Sequence, residues 1–393
     1  METPSTAPFA RLPDQPAYDV TALRDVEFPW AGDRIYLNHA STGPLPARSL
    51  LAVEEFNRRR AAMDGITDPM LQGVLANARH LAARLVHADV EEIALAGNTS
   101  WGLNLAAATL PLGPGDVVVV SDGEFPANVY PWMRLASRGV QLEVVPCTVN
   151  GWPDEEYLLA RVQDAEVKVL AVSWVQFSNG YRVDLARLGR AARDSGAYLV
   201  VDAIQGLGQQ PLDVSAISVD ILACGGQKWL LSPWGTGFVY VRRALIERLS
   251  PLVTGWMAHE GTDDFTRLTD YHRTLRRDAR RFELVSLPFQ DFVGFNASLT
   301  LLLELGVDRI AAHLDRITQP VRRWAESTGV PLRSATGSHG SGFVCLAPPD
   351  IERAYHRLCE AGIVTSLREG AIRLSPHCYT TMAEMERVAE VLA

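Results

Sequence analysis

The sequence is poor in cysteine, and its few cysteines are scattered. The 393-residue chain contains five of them, and no two form a Cys-x-x-Cys motif. Disulfide-stapled proteins and structural zinc sites both require cysteines in close or paired arrangements. The distribution therefore argues against a disulfide framework and against a zinc site, and we expect no bound metal. It is typical of a protein that stays in the reducing cytoplasm.

Long apolar runs and an excess of basic charge are also missing. No apolar stretch reaches the roughly 18 residues that a membrane-spanning helix requires. The first residues lack the apolar core of a secretory signal. The formal net charge of −9 opposes binding to nucleic acid or to an anionic membrane. A basic cluster at residues 273–281 lacks interleaved aromatics, so we interpret it as a solvated helix face or as ion pairs between subunits.

The first part of the chain shows the pattern of an α/β domain. Hydrophobic residues make up 47% of the sequence, enough for one large core and a smaller second domain. Short apolar runs are continuous rather than alternating, as in strands buried on both faces. Helical patterns separate several of the runs, which predicts a seven-stranded, mainly parallel sheet covered by helices. The predicted strands lie at residues 92–96, 116–121, 142–146, 167–173, 198–202, 220–224 and 237–241.

The pattern changes after residue 290, where long helical patterns surround two or three short apolar runs. This arrangement predicts a smaller α+β domain. Residues 1–30 are rich in proline, aspartate and alanine and predict an extended arm. We therefore divide the chain into an N-terminal arm that packs with the small domain (1–50), a large α/β domain (51–290) and a small C-terminal domain (291–393).

Polar and aromatic residues follow several of the predicted strands. Each signal alone is weak, because a lysine after a strand is usually a solvated loop residue and an aspartate there usually caps a turn. The carboxyl ends of parallel strands nevertheless meet at one edge of a sheet, where ligands collect. The residues at these ends are Asn98-Thr99-Ser100 before a predicted helix, Glu124-Phe125, Asp202 with Gln205, and the run Gly225-Gly226-Gln227-Lys228.

Taken together, these groups are the ones that a pyridoxal 5′-phosphate (PLP) site requires. A lysine amine forms a Schiff base with the cofactor aldehyde, and a partly buried lysine loses its proton more easily. A carboxylate keeps the pyridine nitrogen protonated, so that the ring accepts electrons. A helix N-terminus binds the phosphate, and an aromatic side chain packs against the ring.

Three segments, at residues 172–185, 200–214 and 225–242, resemble the class V aminotransferase family, a fold-type I family of PLP enzymes. The family includes cysteine desulfurases, isopenicillin N epimerase and kynureninase. The resemblance extends from YLNHASTGPLP at Tyr36 to IRLSPHCYTT at Ile372. With EFPANVYPW after the second predicted strand, the chain is most similar to the isopenicillin N epimerase-like branch.

The resemblance implies a role for each matching residue around the ring. Lys228 is the lysine that holds PLP and shuttles the proton. Asp202 pairs with the ring nitrogen, and Gln205 contacts the ring hydroxyl. Phe125 takes the place of the stacking aromatic, which is often histidine in relatives.

Further residues are implied for the phosphate and the substrate. Ser100 and Thr99 hold the phosphate, and Ser286 reaches the phosphate of the partner subunit in a homodimer with shared sites. Arg373 binds the α-carboxylate of an amino-acid substrate, a task that suits a guanidinium. His39 lies where relatives line the substrate pocket, although a structural role is the alternative.

The chain also departs from the family pattern. Relatives carry Ser-x-His-Lys where this sequence has Gly225-Gly226-Gln227-Lys228, so one phosphate hydroxyl is missing and Gln227 replaces the histidine. Phe177 replaces an asparagine that often touches the ring hydroxyl. The RFE-x-GT run of relatives reads RFELVS here.

The cysteines bear on the reaction type. A desulfurase needs a reactive cysteine on the loop before the carboxylate-binding arginine, but residues 366–373 read SLREGAIR, and Cys378 lies beyond Arg373. We therefore expect α,β-elimination of the C–S type or epimerisation, without a catalytic cysteine. Transamination with a 2-oxo acid is the alternative. A non-catalytic PLP-binding regulator belongs to another class and is opposed by the retained lysine, aspartate and arginine.

Overall fold

The structure is a computed structural model that describes residues 18–284 and 286–393. The helices are α1 (Val20–Glu27), α2 (Ala47–Ala62), α3 (Asp68–Val86), α4 (Thr99–Thr109), α5 (Tyr130–Met133), α6 (Glu155–Arg161), α7 (Leu185–Ser195), α8 (Arg243–Ile246), α9 (Phe289–Leu305), α10 (Val307–Thr328), α11 (Ile351–Glu360) and α12 (Met382–Leu392). The strands are β1 (Ile35–Tyr36), β2 (Ile93–Leu95), β3 (Val117–Ser121), β4 (Gln141–Val145), β5 (Val167–Ser173), β6 (Tyr198–Asp202), β7 (Ile221–Gly225), β8 (Gly237–Val241), β9 (Val344–Leu346), β10 (Ile363–Val364), β11 (Ser366–Arg368) and β12 (Ala371–Leu374).

A seven-stranded sheet with the order β2-β8-β7-β6-β5-β3-β4 forms the centre of the fold. Only β8 runs antiparallel to its neighbours, β2 and β7. Every residue of β3, β7 and β8 is buried, as the continuous apolar runs predicted. The predicted α/β fold with a seven-stranded, mainly parallel sheet is therefore confirmed.

Strand direction decides which loops meet. Strands β3, β5, β6 and β7 are mutually parallel, and β2 shares their direction because both it and β7 oppose β8. The loops that follow these five strands consequently open at the same edge of the sheet. A helix follows directly after β2, since Asn98 caps α4 by accepting a hydrogen bond from the Trp101 amide at 2.9 Å.

The C-terminal part forms a second, antiparallel sheet with the order β11-β12-β9. The N-terminal segment contacts this part of the chain: β1 pairs with β10 in parallel, and Arg24 binds Glu384 of α12 at 3.0 Å. Helix α9 packs against α2 and α3. The boundary that we placed between residues 290 and 291 falls inside the first turn of α9, and the domain division stays a prediction.

Two local expectations from the sequence are wrong. The extended arm predicted for residues 1–30 is interrupted by α1, because the Asp19 carboxylate caps this helix by accepting from the Ala22 amide at 3.0 Å. Residues 1–17 lie outside the described residues. The basic cluster forms no α-helix face, and Arg276 binds Asp263 of a neighbouring loop with two contacts of 2.8 Å. The other interpretation of this cluster, ion pairs between subunits, stays a prediction.

No helix within residues 18–284 and 286–393 is both long and apolar enough to cross a lipid bilayer.

Candidate active site

Lys228 and Asp202 lie at the same edge of the large sheet. Asp202 ends β6, and in the neighbouring strand β7 it is in register with Ala223. The chain leaves β7 at Gly225 and reaches Lys228 in the following loop. Both side chains are close enough to interact electrostatically, since each charge favours the ionised form of the other. The structure thus brings together the two residues on which the sequence argument rests.

Burial is the largest influence on both ionisable groups. It lowers the pKa of the Lys228 amine to about 8, although attraction to Asp202 opposes the shift. It raises the pKa of the Asp202 carboxyl to about 7, against the opposing effects of the Ile204 amide and Lys228. A free amine is therefore accessible to Lys228 near neutral pH, as attack on a carbonyl requires.

One oxygen of Asp202 is left for a ligand. Its Oδ1 accepts a hydrogen bond from the Ile204 amide at 3.0 Å. No hydrogen bond from the described residues reaches Oδ2. The side chain is 3% exposed, and a carboxylate buried to this degree needs a partner. A protonated pyridine nitrogen supplies such a donor, so the aspartate fits the role that the resemblance implies.

Phe125 places an aromatic ring beside the lysine. The Lys228 nitrogen lies 5.5 Å from the centroid of the Phe125 ring. The ring is 43% exposed and meets Phe177 edge to face, with 5.3 Å between centroids. Phe177 therefore supports the position of Phe125. This pair forms an apolar wall against which a cofactor ring can pack.

Glu124 is a residue whose importance the sequence did not indicate. Its carboxylate is buried and accepts hydrogen bonds from the Ser173 amide at 2.7 Å, from Gln176 Nε2 at 2.8 Å and from Asn128 Nδ2 at 3.0 Å, in addition to the Ser173 hydroxyl. Burial raises the pKa of this carboxyl despite these donors. The network ties together the two loops that carry the paired phenylalanines. An acid beside an aromatic at a strand end was the only signal in the sequence.

The N-terminus of α4 forms the predicted phosphate end of the site. Thr99 is the first residue of the helix, and its Oγ1 accepts a hydrogen bond from the Gly225 amide at 2.9 Å, which fixes the helix against β7. The backbone amides of Thr99 and Ser100 have no partner among the described residues. Free amides at the positive end of a helix suit a phosphate group.

The difference from the family's Ser-x-His-Lys run at Gly225 and Gln227 has a steric explanation. A Cβ atom on Gly225 would lie 2.6 Å from Gln227 Oε1 and 3.3 Å from Thr99 Oγ1. The glycine therefore makes room for the Gln227 side chain beside Thr99. Gln227 thus brings an amide group close to Thr99, and this amide offers hydrogen-bond donors of its own.

A loop at residues 38–43 crosses Lys228. The Gly43 amide donates to the Gln227 carbonyl at 2.8 Å, and a Cβ atom on Gly43 would lie only 2.0 Å from the Lys228 carbonyl oxygen. Gln205 holds the same loop by donating through Nε2 to the Ala40 carbonyl at 3.0 Å. The loop thus approaches the lysine as closely as a glycine backbone allows.

Arg373 lies on β12 and is 2% exposed. Its Nη1 donates to the Phe177 carbonyl at 2.6 Å, and its Nη2 donates to Ser41 Oγ at 2.8 Å. Its Nε is buried and has no hydrogen-bond partner among the described residues. Burial lowers the pKa of the guanidinium to about 10, so it stays charged at neutral pH. A charged, buried and incompletely paired guanidinium suits the carboxylate of a substrate.

The structure does not bring His39 to the site in a form that can bind a substrate. The ring is fully buried, with Nδ1 donating to the Ser375 carbonyl and Nε2 accepting from the Tyr379 hydroxyl, both at 2.8 Å. Burial lowers the pKa of the ring, which keeps it neutral. Because both ring nitrogens are hydrogen-bonded within the protein, the geometry favours a structural role for His39 over substrate binding.

Ser286 lies elsewhere on the same chain. It is exposed and lines a cavity of about 410 Å³ together with Arg79 and Glu283. The lining of this cavity includes neither Lys228 nor Asp202. The Glu283 carboxylate anchors the segment by accepting hydrogen bonds from Arg79 at 2.7 and 2.6 Å. Within one chain, therefore, Ser286 contributes nothing to the lysine site.

One cysteine lies nearer to the site than the sequence indicated. Cys345 on β9 is in register with Arg373 on β12, and its thiol donates to the Ser178 carbonyl at 3.4 Å. Burial raises the pKa of this thiol to about 12. Burial also raises the pKa of Cys378. Reactivity requires the thiolate, so both cysteines are held in the unreactive form at neutral pH.

Comparison with known proteins decides the family. The profile of the family described as Aminotransferase class-V matches residues 35–388. The chain belongs to the aminotransferase class V family. This membership confirms the predicted family, and with it the predicted enzyme class and the cofactor PLP, which the residues around Lys228 fit.

Curated relatives and solved structures match nearly the whole chain. A probable cysteine desulfurase of Methanothermobacter thermautotrophicus is 29% identical over 93% of this chain and 96% of its own. The isopenicillin N epimerase of Streptomyces clavuligerus is 29% identical over 91% of this chain and 94% of its own. A structure of the cystine C–S lyase C-DES, with glycine linked covalently to its PLP cofactor, superposes with a TM-score of 0.84 at 21% identity, covering 94% of this chain and 98% of that one. The last likeness shows the fold.

Proposed function

We propose that this class V protein is a PLP-dependent enzyme that moves the α-proton of an amino acid and then catalyses elimination or epimerisation without a catalytic cysteine. One observation carries the proposal: the Lys228 amine lies beside the buried Asp202 carboxylate, at the edge of the sheet. Amine and carboxylate are the two groups that the cofactor needs from the protein to activate the α-carbon.

Each residue of the site has a distinct task in this scheme. PLP, when bound, supplies an electron-withdrawing ring that stabilises negative charge on the α-carbon. Asp202 holds the ring nitrogen in its protonated form through the free Oδ2. Phe125 packs against the ring, and the amides of Thr99 and Ser100 hold the phosphate.

The substrate is oriented by Arg373 and deprotonated by Lys228. The unpartnered Nε of Arg373 binds the α-carboxylate, while the contacts to Phe177 and Ser41 keep the guanidinium in place. A lysine whose pKa is about 8 is neutral often enough near pH 7 to accept a proton and, once protonated, acidic enough to return it.

The state of the cysteines supports elimination or epimerisation over persulfide formation. Cys345 is the cysteine opposite the substrate-binding arginine, and its buried thiol remains protonated. Residues 366–373, which carry the reactive cysteine in desulfurases, contain none here. All five cysteines are free, which also supports a reducing, cytoplasmic location.

Incubation of the PLP-loaded enzyme with a panel of L-amino acids in deuterated water tests the proposal. Mass spectrometry of the products separates α-deuterium exchange with inversion, release of sulfur or amine, and formation of a keto acid by transamination. We expect exchange or elimination with the parent enzyme and neither with Lys228→Ala. Absence of any exchange or product across the panel would favour the non-catalytic PLP-binding regulator.

We also propose a homodimer in which each subunit completes the site of the other. Several exposed apolar side chains lie within residues 252–271, and Trp256 of this segment lines the same cavity as Ser286. The segment carries Leu252, Val253, Trp256, Leu268 and Tyr271 as exposed side chains. Contiguous exposed apolar groups are typical of a protein interface.

Light scattering in solution tests the dimer. Leu252→Asp should shift the mass from a dimer towards a monomer and lower cofactor retention. Val149→Asp is the control, because Val149 is fully exposed and lies outside this segment. A monomeric parent protein that retains PLP would contradict the shared site.

A further inference from the structure

Arg368 shares one face of a hairpin with the substrate-binding arginine. In the antiparallel pair β11-β12, Ser366 lies opposite Arg373, and Arg368 lies opposite Ala371. Directly opposed residues project to the same side of a sheet, as do residues two apart along a strand. Arg368, Ser366 and Arg373 therefore project from the same side of the hairpin.

This side of the hairpin faces the lysine. Arg373 reaches from it to Ser41, in the loop that crosses Lys228. The Arg368 charge is close enough to add to the effect of burial in lowering the pKa of both Lys228 and Arg373. Three cationic groups are thus gathered at one place.

Neither arginine at this place has a carboxylate partner among the described residues. Asp202 faces Lys228, and the α-carboxylate of a substrate neutralises Arg373. Arg368 forms no ion pair with any carboxylate of the described residues; its Nη1 donates only to the adjacent Leu367 carbonyl, at 2.7 Å. Its side chain is exposed and free to turn towards a ligand.

Two further polar atoms on the same face also lack partners. Arg373 Nε and Ser366 Oγ are buried without a hydrogen bond among the residues that the structure describes. Ser366 is 6% exposed. A buried hydroxyl and a buried N–H without partners cost free energy unless a ligand binds them. A polar, anionic ligand would supply the hydrogen-bond partners that this face of the hairpin lacks.

We propose that Arg368 binds a second anionic group of the substrate, carried on its side chain, so that the enzyme prefers amino acids with an acidic side chain. The proposal rests on the function proposed above, in which Arg373 takes the α-carboxylate. Diagonal positions of an antiparallel pair are separated by about 7–8 Å. The long side chains of Arg373 and Arg368 can therefore converge on two carboxylates of one small molecule.

Binding of matched amino acids to the PLP-loaded enzyme tests this specificity. The visible absorbance of the bound cofactor is titrated with L-glutamate and L-glutamine, and with L-aspartate and L-asparagine. Each pair has the same shape and differs in charge. We expect the acidic member to bind about fivefold more tightly or better, as for a charge-assisted hydrogen bond at a partly exposed site. The preference should weaken as KCl is added.

Variants separate the side-chain contact from general effects. Arg368→Gln should bring the glutamate-to-glutamine ratio close to one by weakening the binding of glutamate more than that of glutamine, while Arg368→Lys should retain part of the preference. Arg353→Gln, at an exposed position of α11, is the matched control and should behave as the parent. Melting temperatures of all variants should agree, since both arginines are exposed.

Three outcomes would overturn the inference. If the parent bound each acidic amino acid and its amide with equal affinity, the preference for acidic side chains would be refuted, and the proposed function would be unaffected. If Arg368→Gln weakened the binding of glutamate and glutamine equally, Arg368 would have a role other than contact with the substrate side chain. If no amino acid changed the absorbance of the parent, the proposed function would fail, and this inference with it.

Discussion

The indole nitrogen of Trp229 donates a hydrogen bond to Gln205 Oε1 at 2.8 Å. The contact joins the residue that follows Lys228 to a residue three positions beyond Asp202. Gln205 also donates one amide hydrogen to the Ala40 carbonyl. A glutamine amide carries two hydrogens, so one remains for the ring hydroxyl that the resemblance assigns to Gln205. The bond from Trp229 fixes which way this amide faces.

Removal of that bond should loosen the cofactor. Trp229→Phe leaves Gln205 Oε1 buried without a donor, which costs about 1–3 kcal/mol for an unsatisfied polar group. We expect faster loss of PLP during dialysis, followed by visible absorbance, and a lower free energy of unfolding in urea. Trp234→Phe is the control, because Trp234 is 64% exposed. Equal PLP retention in parent and Trp229→Phe would show that the bond does not position Gln205.

Lys228→Ala should abolish the visible absorbance of the lysine-bound cofactor. The chain contains only two lysines, Lys168 and Lys228, so borohydride reduction followed by peptide mapping has two possible outcomes. We expect the label on Lys228 alone. Lys168→Ala should retain full absorbance, since its amine donates to the Ala165 carbonyl at the surface. A label on Lys168, or an unchanged spectrum in Lys228→Ala, would refute the assignment.

Asp202→Asn should stabilise the cofactor-free protein at neutral pH while weakening its hold on PLP. The folded-state pKa of Asp202, about 7, lies above the ordinary value of about 4, so the folded protein binds a proton that the unfolded chain has lost between these pH values. Stability from this group is therefore present at low pH and is lost as the pH rises through this window. The loss is on the order of 4 kcal/mol at most, from about 3 pKa units.

Urea unfolding at pH 5 and pH 7.5 measures this effect. The gap in free energy of unfolding between Asp202→Asn and the parent should widen at the higher pH, because asparagine cannot ionise. Asp164→Asn is the control on the surface, where Asp164 pairs with Arg161 at 2.7 Å. If the difference in free energy of unfolding narrowed with rising pH, burial would not raise the pKa of the Asp202 carboxyl.

Glu124→Gln should loosen the aromatic wall of the site. Four donors converge on the carboxylate, and a glutamine would direct an NH₂ group towards some of them. We expect a loss of about 1–3 kcal/mol in the free energy of unfolding, the cost of unsatisfied buried polar groups. The absorbance maximum of bound PLP should also shift as Phe125 moves. Glu156→Gln, at an exposed ion pair with Arg187, should change neither quantity.

The strands of the large sheet were predictable because their sequences are continuous apolar runs, which favour burial on both faces of the sheet. Every predicted run overlaps an observed strand, and the runs at residues 167–173, 198–202 and 237–241 match β5, β6 and β8. Helix α7 likewise carries local signals at both ends, since Asp184 caps its start and Gly196 ends it in the left-handed conformation. In contrast, the prediction of an extended arm missed α1, because the prolines on either side of residues 18–27 outweighed the capping signal of Asp19.

The site was predictable where its residues follow strands. Lys228, Asp202, Thr99 and Phe125 all lie at one edge because the parallel topology places strand ends together. Local sequence contained no such information for His39, whose two hydrogen bonds come from residues more than 300 positions away. The same holds for Cys345, which only the pairing of β9 with β12 places opposite Arg373.

Hydrophobic periodicity, capping residues and the residues after each strand were enough to predict the class of fold and to select Lys228 and Asp202 as the pair proposed to hold PLP, since each of these signals lies within a few residues of the chain. Tertiary structure alone decided which polar groups are satisfied. The contact between Arg373 and Ser41 brings the β11-β12 hairpin to the loop that crosses Lys228, and burial sets the pKa of the lysine and the aspartate. Both effects arise from segments far apart in sequence, because hydrogen bonding and desolvation depend on what surrounds a group in space.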